Sequence, residues 1–146
     1  MNSIQAIMGR RVATQVAWKF LGTFYKWGGD DPSSFDCSGL GIELLKSTGV
    51  LPRGGDWTAH GLYNKFKTVP SASEGHLACY FNKDNTRVIH IEYCLNKHLT
   101  IGASGGGSKT ITHEDAIKHN AYVKVRPINK SRGRVEFVDP FYVSVS

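Results

Sequence analysis

Two residue types in this chain can serve as nucleophile and general base near neutral pH, the three cysteines and the six histidines. Cys37 stands out among the cysteines. It sits in Phe35-Asp36-Cys37-Ser38-Gly39-Leu40, behind a turn-forming run from Gly28 to Ser34 and ahead of a segment, Ser38 to Thr48, that places Leu40, Leu44, Leu45 and Thr48 on one face. Gly49 then stands where a helix stop is expected. The pattern predicts a helix with Cys37 in its first turn, where unpaired N–H groups and the helix dipole favour thiolate over thiol. Ser33, Ser34 and Asp36 are helix-capping types, and Gly39 and Gly41 leave room for close approach.

A base for that thiol must come from His60, His76, His90, His98, His113 or His119. Only His90 lies inside a clear strand pattern, and the others fall in loops or at element ends. Alternation puts Val88, His90, Glu92 and Cys94 on one face and Ile89, Ile91, Tyr93 and Leu95 on the other, so the polar face reads as the wall of a cleft.

The elements that must position this pair follow from periodicity. Arg10 to Phe24 reads as an amphipathic helix with Val12, Val16, Ala17, Phe20 and Phe24 inward, and Thr58 to Phe66 as a shorter one with Leu62, Tyr63 and Phe66 inward. From residue 76 the pattern turns to short β-branched and aromatic runs: Leu77 to Phe81, Arg87 to Leu95, Leu99 to Ala103, Ala121 to Arg126 and Val135 to Val138, with one helical turn at Glu114 to His119. Helices followed by an antiparallel sheet define an α+β class, and 146 residues without repeat or composition break suit one domain over 1–146.

Composition bounds the partners. A net charge of +6 is spread along the chain, its densest run being Lys130 to Arg134, which suits general attraction to anionic polymers and not base readout, so no nucleic acid is expected. No apolar stretch is long enough to cross a bilayer, so no membrane partner is expected. The first twelve residues lack the order of a signal peptide, which leaves the chain in the cytoplasm of the producing cell. An odd number of cysteines without zinc spacing implies reduced thiols, no metal and no cofactor. The run Gly102 to Thr110 superficially resembles a phosphate loop, but Ser108 interrupts the needed Gly-Lys-Thr ending.

Tyr25, Gly28 and Gly29 ahead of Phe35-Asp36-Cys37-Ser38-Gly39-Leu40 resemble the signature of the NlpC-type family of papain-like bacterial cell-wall cysteine peptidases. Leu51-Pro52-Arg53, Glu74-Gly75-His76-Leu77 and His90-Ile91-Glu92-Tyr93 extend the resemblance over about residues 10 to 104. It implies a papain-like fold in which Cys37 attacks an amide in the peptide stem of peptidoglycan, His90 serves as base and a thioester forms. The Cys37 backbone N–H with Tyr25 or a neighbouring donor would hold the oxyanion. Asp36 and Ser38 would contact the stem peptide, and Trp27, beside the signature, has the best claim among the tryptophans to a further contact. An amidase or acyltransferase using the same pair, or a wall-binding component that has lost catalysis, are the alternatives.

The family orients its histidine with a polar residue twelve positions later, and that count lands on Gly102. In the family's register Gly102 pairs with His90 and His98 with Cys94. Backbone carbonyls near Gly102 or a water then rank first as orienter and Glu92 second. The run around Gly102 to Thr110, Asn120 to Pro127 and Phe137 to Phe141 resemble the bacteriophage branch, implying a virion-associated enzyme or one released onto the wall, with phage tail proteins as possible partners.

Overall fold

The structure is a computed structural model that describes residues 1–24, 30–31, 34–35, 38–104, 112–128 and 133–144. Among these, four helices accompany a six-stranded antiparallel sheet. Helix α1 (Ser3–Lys19) starts seven residues before the periodicity places it, because Asn2 and Gln5 form a reciprocal capping box. Its inward face also differs from expectation. Ala17 is buried and Val16, Phe20 and Phe24 pack against the core as expected, but Val12 is 41% exposed and Ala6 and Ala13 are buried in its stead. Small residues win the inner face because the helix lies very close to its neighbours: a Cβ on Gly9 would stand 2.8 Å from the Phe141 ring.

Polar contacts fix where α1 crosses the sheet. The Tyr93 hydroxyl donates to the Arg10 carbonyl at 3.0 Å and shares a 2.8 Å hydrogen bond with Thr14. Arg10 grips both carboxylate oxygens of Asp139 at 2.7 and 2.8 Å.

A short pairing of β1 (Asp30–Asp31) with β2 (Ser34–Phe35) precedes helix α2 (Gly39–Ser47). The Ile42 N–H bonds the Ser38 carbonyl in the first turn of α2, and Cys37, which the sequence pattern places in that turn, lies outside the described residues. It stops where predicted, at Gly49 with φ +79°. Leu40, Leu44 and Leu45 are buried with Leu77, Ile91, Tyr93 and Ile101 in the main core, each such side chain stabilising by about 1.5–3 kcal/mol. Gly41 faces this core with its Cα side toward Ile91, so α2 packs on the strand that carries His90. Helix α3 (Ala59–Lys65) follows, capped by the Thr58 hydroxyl accepting from the Gly61 N–H at 2.9 Å.

The sheet contains β3 (Lys67–Val69), β4 (Leu77–Phe81), β5 (Val88–Cys94), β6 (Leu99–Ser104), β7 (Tyr122–Pro127) and β8 (Val135–Asp139), in the order β3-β8-β4-β5-β6-β7. Edge strand β3 has no counterpart in the sequence reading. Its three residues are too few to show an alternation. Helix α4 (His113–Lys118) forms the expected turn before β7.

Two expectations about β5 are corrected. Tyr80 pairs with His90 but Phe81 with Val88, a bulge that resets the alternation. Val88 therefore joins the main core and Ile89 is exposed. The β5–β6 register also differs: Tyr93 pairs with Ile101 and Cys94 with Thr100, two residues from the expected pairing. The hairpin turn is two residues longer than expected, closing with Leu95 N–H to the Leu99 carbonyl at 2.8 Å. Gly102 consequently lies beside Glu92 and not beside His90. A shift of two preserves the face of every side chain, which is why the face assignment of His90 and Glu92 is unaffected.

Candidate active site

His90 stands at the end of the regular part of β5, next to the bulge, with its side chain 19% exposed. Tyr80 on β4 packs beside the ring at 5.5 Å between centroids. Two residues along the same strand face is Glu92, whose side chain is 0% exposed. The face that alternation suggests as an open cleft wall is thus closed over Glu92 and over Cys94, which is fully buried, and opens only at His90.

His90 Nε2 and Glu92 Oε2 are 2.6 Å apart. This contact displaces the expectation that a carbonyl or water stands first against the ring. The space for it comes from the neighbouring strand: a Cβ on Gly102 would lie 2.7 Å from Glu92 Cγ and 3.3 Å from its Cβ. Glutamate at 92 and any side chain at 102 compete for one volume.

Glu92 is held by three groups besides the ring contact's own geometry. The Thr100 hydroxyl donates to Oε1 at 2.6 Å, Arg126 Nε donates at 3.1 Å to each carboxylate oxygen, and Arg126 Nη2 donates to Oε2. Thr100 and Arg126 are opposite each other in the β6–β7 register, so side chains from three adjacent strands converge on one carboxylate. Burial opposes ionisation of Glu92, but the hydrogen bonds from His90 and Arg126 outweigh it, with charge attraction to His90 and the Thr100 bond adding to them, and the carboxyl is brought down to about 2.

An ionised carboxylate only accepts hydrogen bonds, so the proton between the two residues sits on His90 Nε2. That fixes the tautomer of the neutral ring and leaves Nδ1 as its basic nitrogen. Arg126 Nη2 also stands 3.2 Å from His90 Nε2. Both are donors, and they share Glu92 Oε2 as acceptor.

Tyr25, Trp27, Asp36 and Cys37 lie outside the described residues, as do residues 105–110 of the glycine-rich run and residues 130–132 of the basic run. Ser38 occupies the N-cap position of α2, and its side chain makes no capping hydrogen bond. Cys79 and Cys94 are both buried. Burial pushes the thiol of Cys94 up to about 12, with the charge of Glu92 adding to it, and burial raises Cys79 likewise. Among the described residues no three His, Cys, Asp or Glu side chains are grouped to hold a metal ion, and no helix is long and apolar enough to cross a membrane.

The remaining histidines have other surroundings. His60 lies at the start of α3, where its Nδ1 accepts the Val88 N–H at 3.1 Å and braces the bulge beside His90. His76 bonds the Ser71 carbonyl through Nδ1 at 2.9 Å, and His113 packs edge-on against Phe24.

Arg126, Thr100 and Tyr80 escaped the sequence reading. A signal for the first was present. A glutamate inside a strand as apolar as Val88 to Cys94 needs a cation, and Arg126 alternates with Val123 and Val125 on a strand of the same sheet.

This fold and signature define a class. The profile of the NlpC/P60 family matches residues 22–128, more than two thirds of the chain, and the chain belongs to that family. Among solved structures, the peptidoglycan hydrolase RipB from Mycobacterium tuberculosis is similar with a TM-score of 0.74 and 22% identity, over 98% of this chain and 70% of that one. The NlpC/p60 domain of the peptidoglycan hydrolase SagA gives a TM-score of 0.66 and 23% identity over 89% of this chain and 97% of that one. NlpC1 from Trichomonas vaginalis gives 0.71 and 18% over 93% of this chain and 45% of that one. The shared architecture is papain-like α+β. Among curated proteins, Protein P54 from Enterococcus faecium is 70% identical over 24 residues, which are 16% of this chain and 5% of that protein.

Proposed function

We propose that residues 1–146 act as a cysteine peptidase that cleaves an amide bond in the peptide stem of peptidoglycan. The Cys37 thiolate, its proton taken by His90 Nδ1, attacks the amide carbonyl carbon. The resulting oxyanion is met by the Cys37 backbone N–H and a donor such as Tyr25. On collapse the C–N bond breaks, imidazolium Nδ1 protonates the departing amine, and the acyl group remains on sulfur as a thioester. Water then gives a proton to Nδ1 and attacks the thioester, and the thiolate leaves. Glu92 orients the ring through Nε2 and stabilises the imidazolium present between proton transfers. Asp36, Ser38 and Trp27 are proposed to contact the stem peptide.

The observation that carries this reading is the 2.6 Å contact between His90 Nε2 and the buried Glu92 carboxylate, in a family chain whose signature supplies the thiol. Gly102 on its own favours a component that has lost catalysis, and Glu92 removes that argument by filling the place from the histidine's own strand. The sequence likeness of the C-terminal half to phage-borne members supports a particle or lysis as the route to the wall. Incubation with purified peptidoglycan and mass spectrometry of the released fragments tests the bond. New amino termini within the stem support the endopeptidase, and separation of glycan from peptide supports the amidase.

A further inference from the structure

Arg126 is the one cation among the described residues placed against the histidine and its carboxylate together, and it lies two strands away from them. We propose that Arg126 is a positioning residue for His90: by sharing Glu92 Oε2 with the ring it fixes the carboxylate and limits how strongly that carboxylate holds a proton on the imidazole. This rests on the peptidase reading above.

The physical problem is one of excess. A buried carboxylate 2.6 Å from an imidazole interacts strongly with any charge on the ring, because little solvent screens the pair. A ring locked as imidazolium is a poor base. Arg126 counters this in two ways. Its Nε and Nη2 both bond the carboxylate, which divides the negative charge between the guanidinium and the ring, and Nη2 lies 3.2 Å from Nε2, where it opposes positive charge on the ring. The hydrogen bond to Glu92 also holds the guanidinium firmly protonated. Among the described residues the groups facing the ring are Tyr80 from β4, Glu92 from β5 and Arg126 from β7, with Thr100 of β6 reaching it through Glu92, so Arg126 supplies the cationic side of the balance there.

The test is the pH dependence of kcat/KM on peptidoglycan fragments for the parent, Arg126→Met and Arg126→Lys. Loss of the guanidinium should move the limb of the profile governed by the imidazole to higher pH by about one unit or more, while the lysine variant stays near the parent. KM should change less than kcat, since Arg126 acts through the ring. A limb that stays in place in folded Arg126→Met overturns the proposal, as does a lysine variant that moves as far as the methionine one. If Arg126→Met does not fold, Arg126→Gln supplies a neutral side chain that keeps a hydrogen-bond donor, with the same criterion. Cys37→Ala is run alongside. Full activity in that variant defeats the peptidase reading itself, whereas an inactive Cys37→Ala with an unmoved Arg126→Met profile defeats only the role of Arg126.

Discussion

Glu92 and Gly102 lie side by side on adjacent strands, so close that a single methyl group on Gly102 would overlap the Glu92 side chain at 2.7 Å. The absence of a side chain on one strand is what admits the carboxylate from the other. Gly102→Ala should therefore push Glu92 off His90. Because Glu92 is pinned by Thr100 and Arg126, the strain is not relieved by a simple swing of the side chain. The expected cost is about 1–3 kcal/mol of stability, together with at least a tenfold fall in kcat. Chemical denaturation and turnover measured on the same preparation check this, and an alanine variant with parental values of both would show that the two positions do not compete.

Glu92→Gln tests the orienter directly. The amide keeps the shape but loses the charge that stabilises the imidazolium, and it presents an N–H where an acceptor is needed. A fall in kcat on the order of a hundredfold or more is expected, with KM nearly unchanged. A fall below about tenfold in folded protein would return the role to backbone or water.

The same residue governs acid stability. In the unfolded chain the carboxyl takes up its proton at about 4.3, whereas in the fold it does so only at about 2. Between those values the unfolded state binds more protons, so the contribution of Glu92 is complete above the upper value and is lost as pH falls toward the lower one. Its size is on the order of 3 kcal/mol. Unfolding midpoints from pH 5 to pH 2 should fall more steeply in the parent than in Glu92→Gln. Equal slopes would contradict the ionised, hydrogen-bonded state described for this carboxylate.

Thiol labelling separates the three cysteines. Cys79 and Cys94 are buried and disfavoured as thiolates, so iodoacetamide at neutral pH should modify Cys37 first in the folded protein, by at least tenfold in rate. Peptide mapping after brief labelling checks this. Equal labelling of all three would remove the case for an activated nucleophile.

Local chemistry explains what the sequence made legible. The strands of the C-terminal half appear within one or two residues of their expected bounds, because alternation and turn residues are local signals. Helix α1 starts earlier than its periodicity because its cap is made by the polar Asn2 and Gln5, and Ala6 and Ala13 line its inner face because the helix approaches Phe141, a partner far away in the chain. His90 and Glu92 were legible on one strand face. The register that sets Glu92 beside Gly102 was not, since hairpin pairing depends on the turn closing at Leu95 and Leu99. Arg126 reaches Glu92 across an intervening strand, a relationship that only sheet order creates.

In the proposed reaction one thiol and one imidazole perform the cleavage together. The measurement that addresses it most directly is the rate at which new amino groups appear in purified peptidoglycan treated with the parent, Cys37→Ala and His90→Ala, each confirmed as folded by its unfolding midpoint. Each substitution removes a group that acts as a unit with the other, so each alone should lower the rate by about a thousandfold or more. Retention of most of the parental rate by either folded variant would contradict the account.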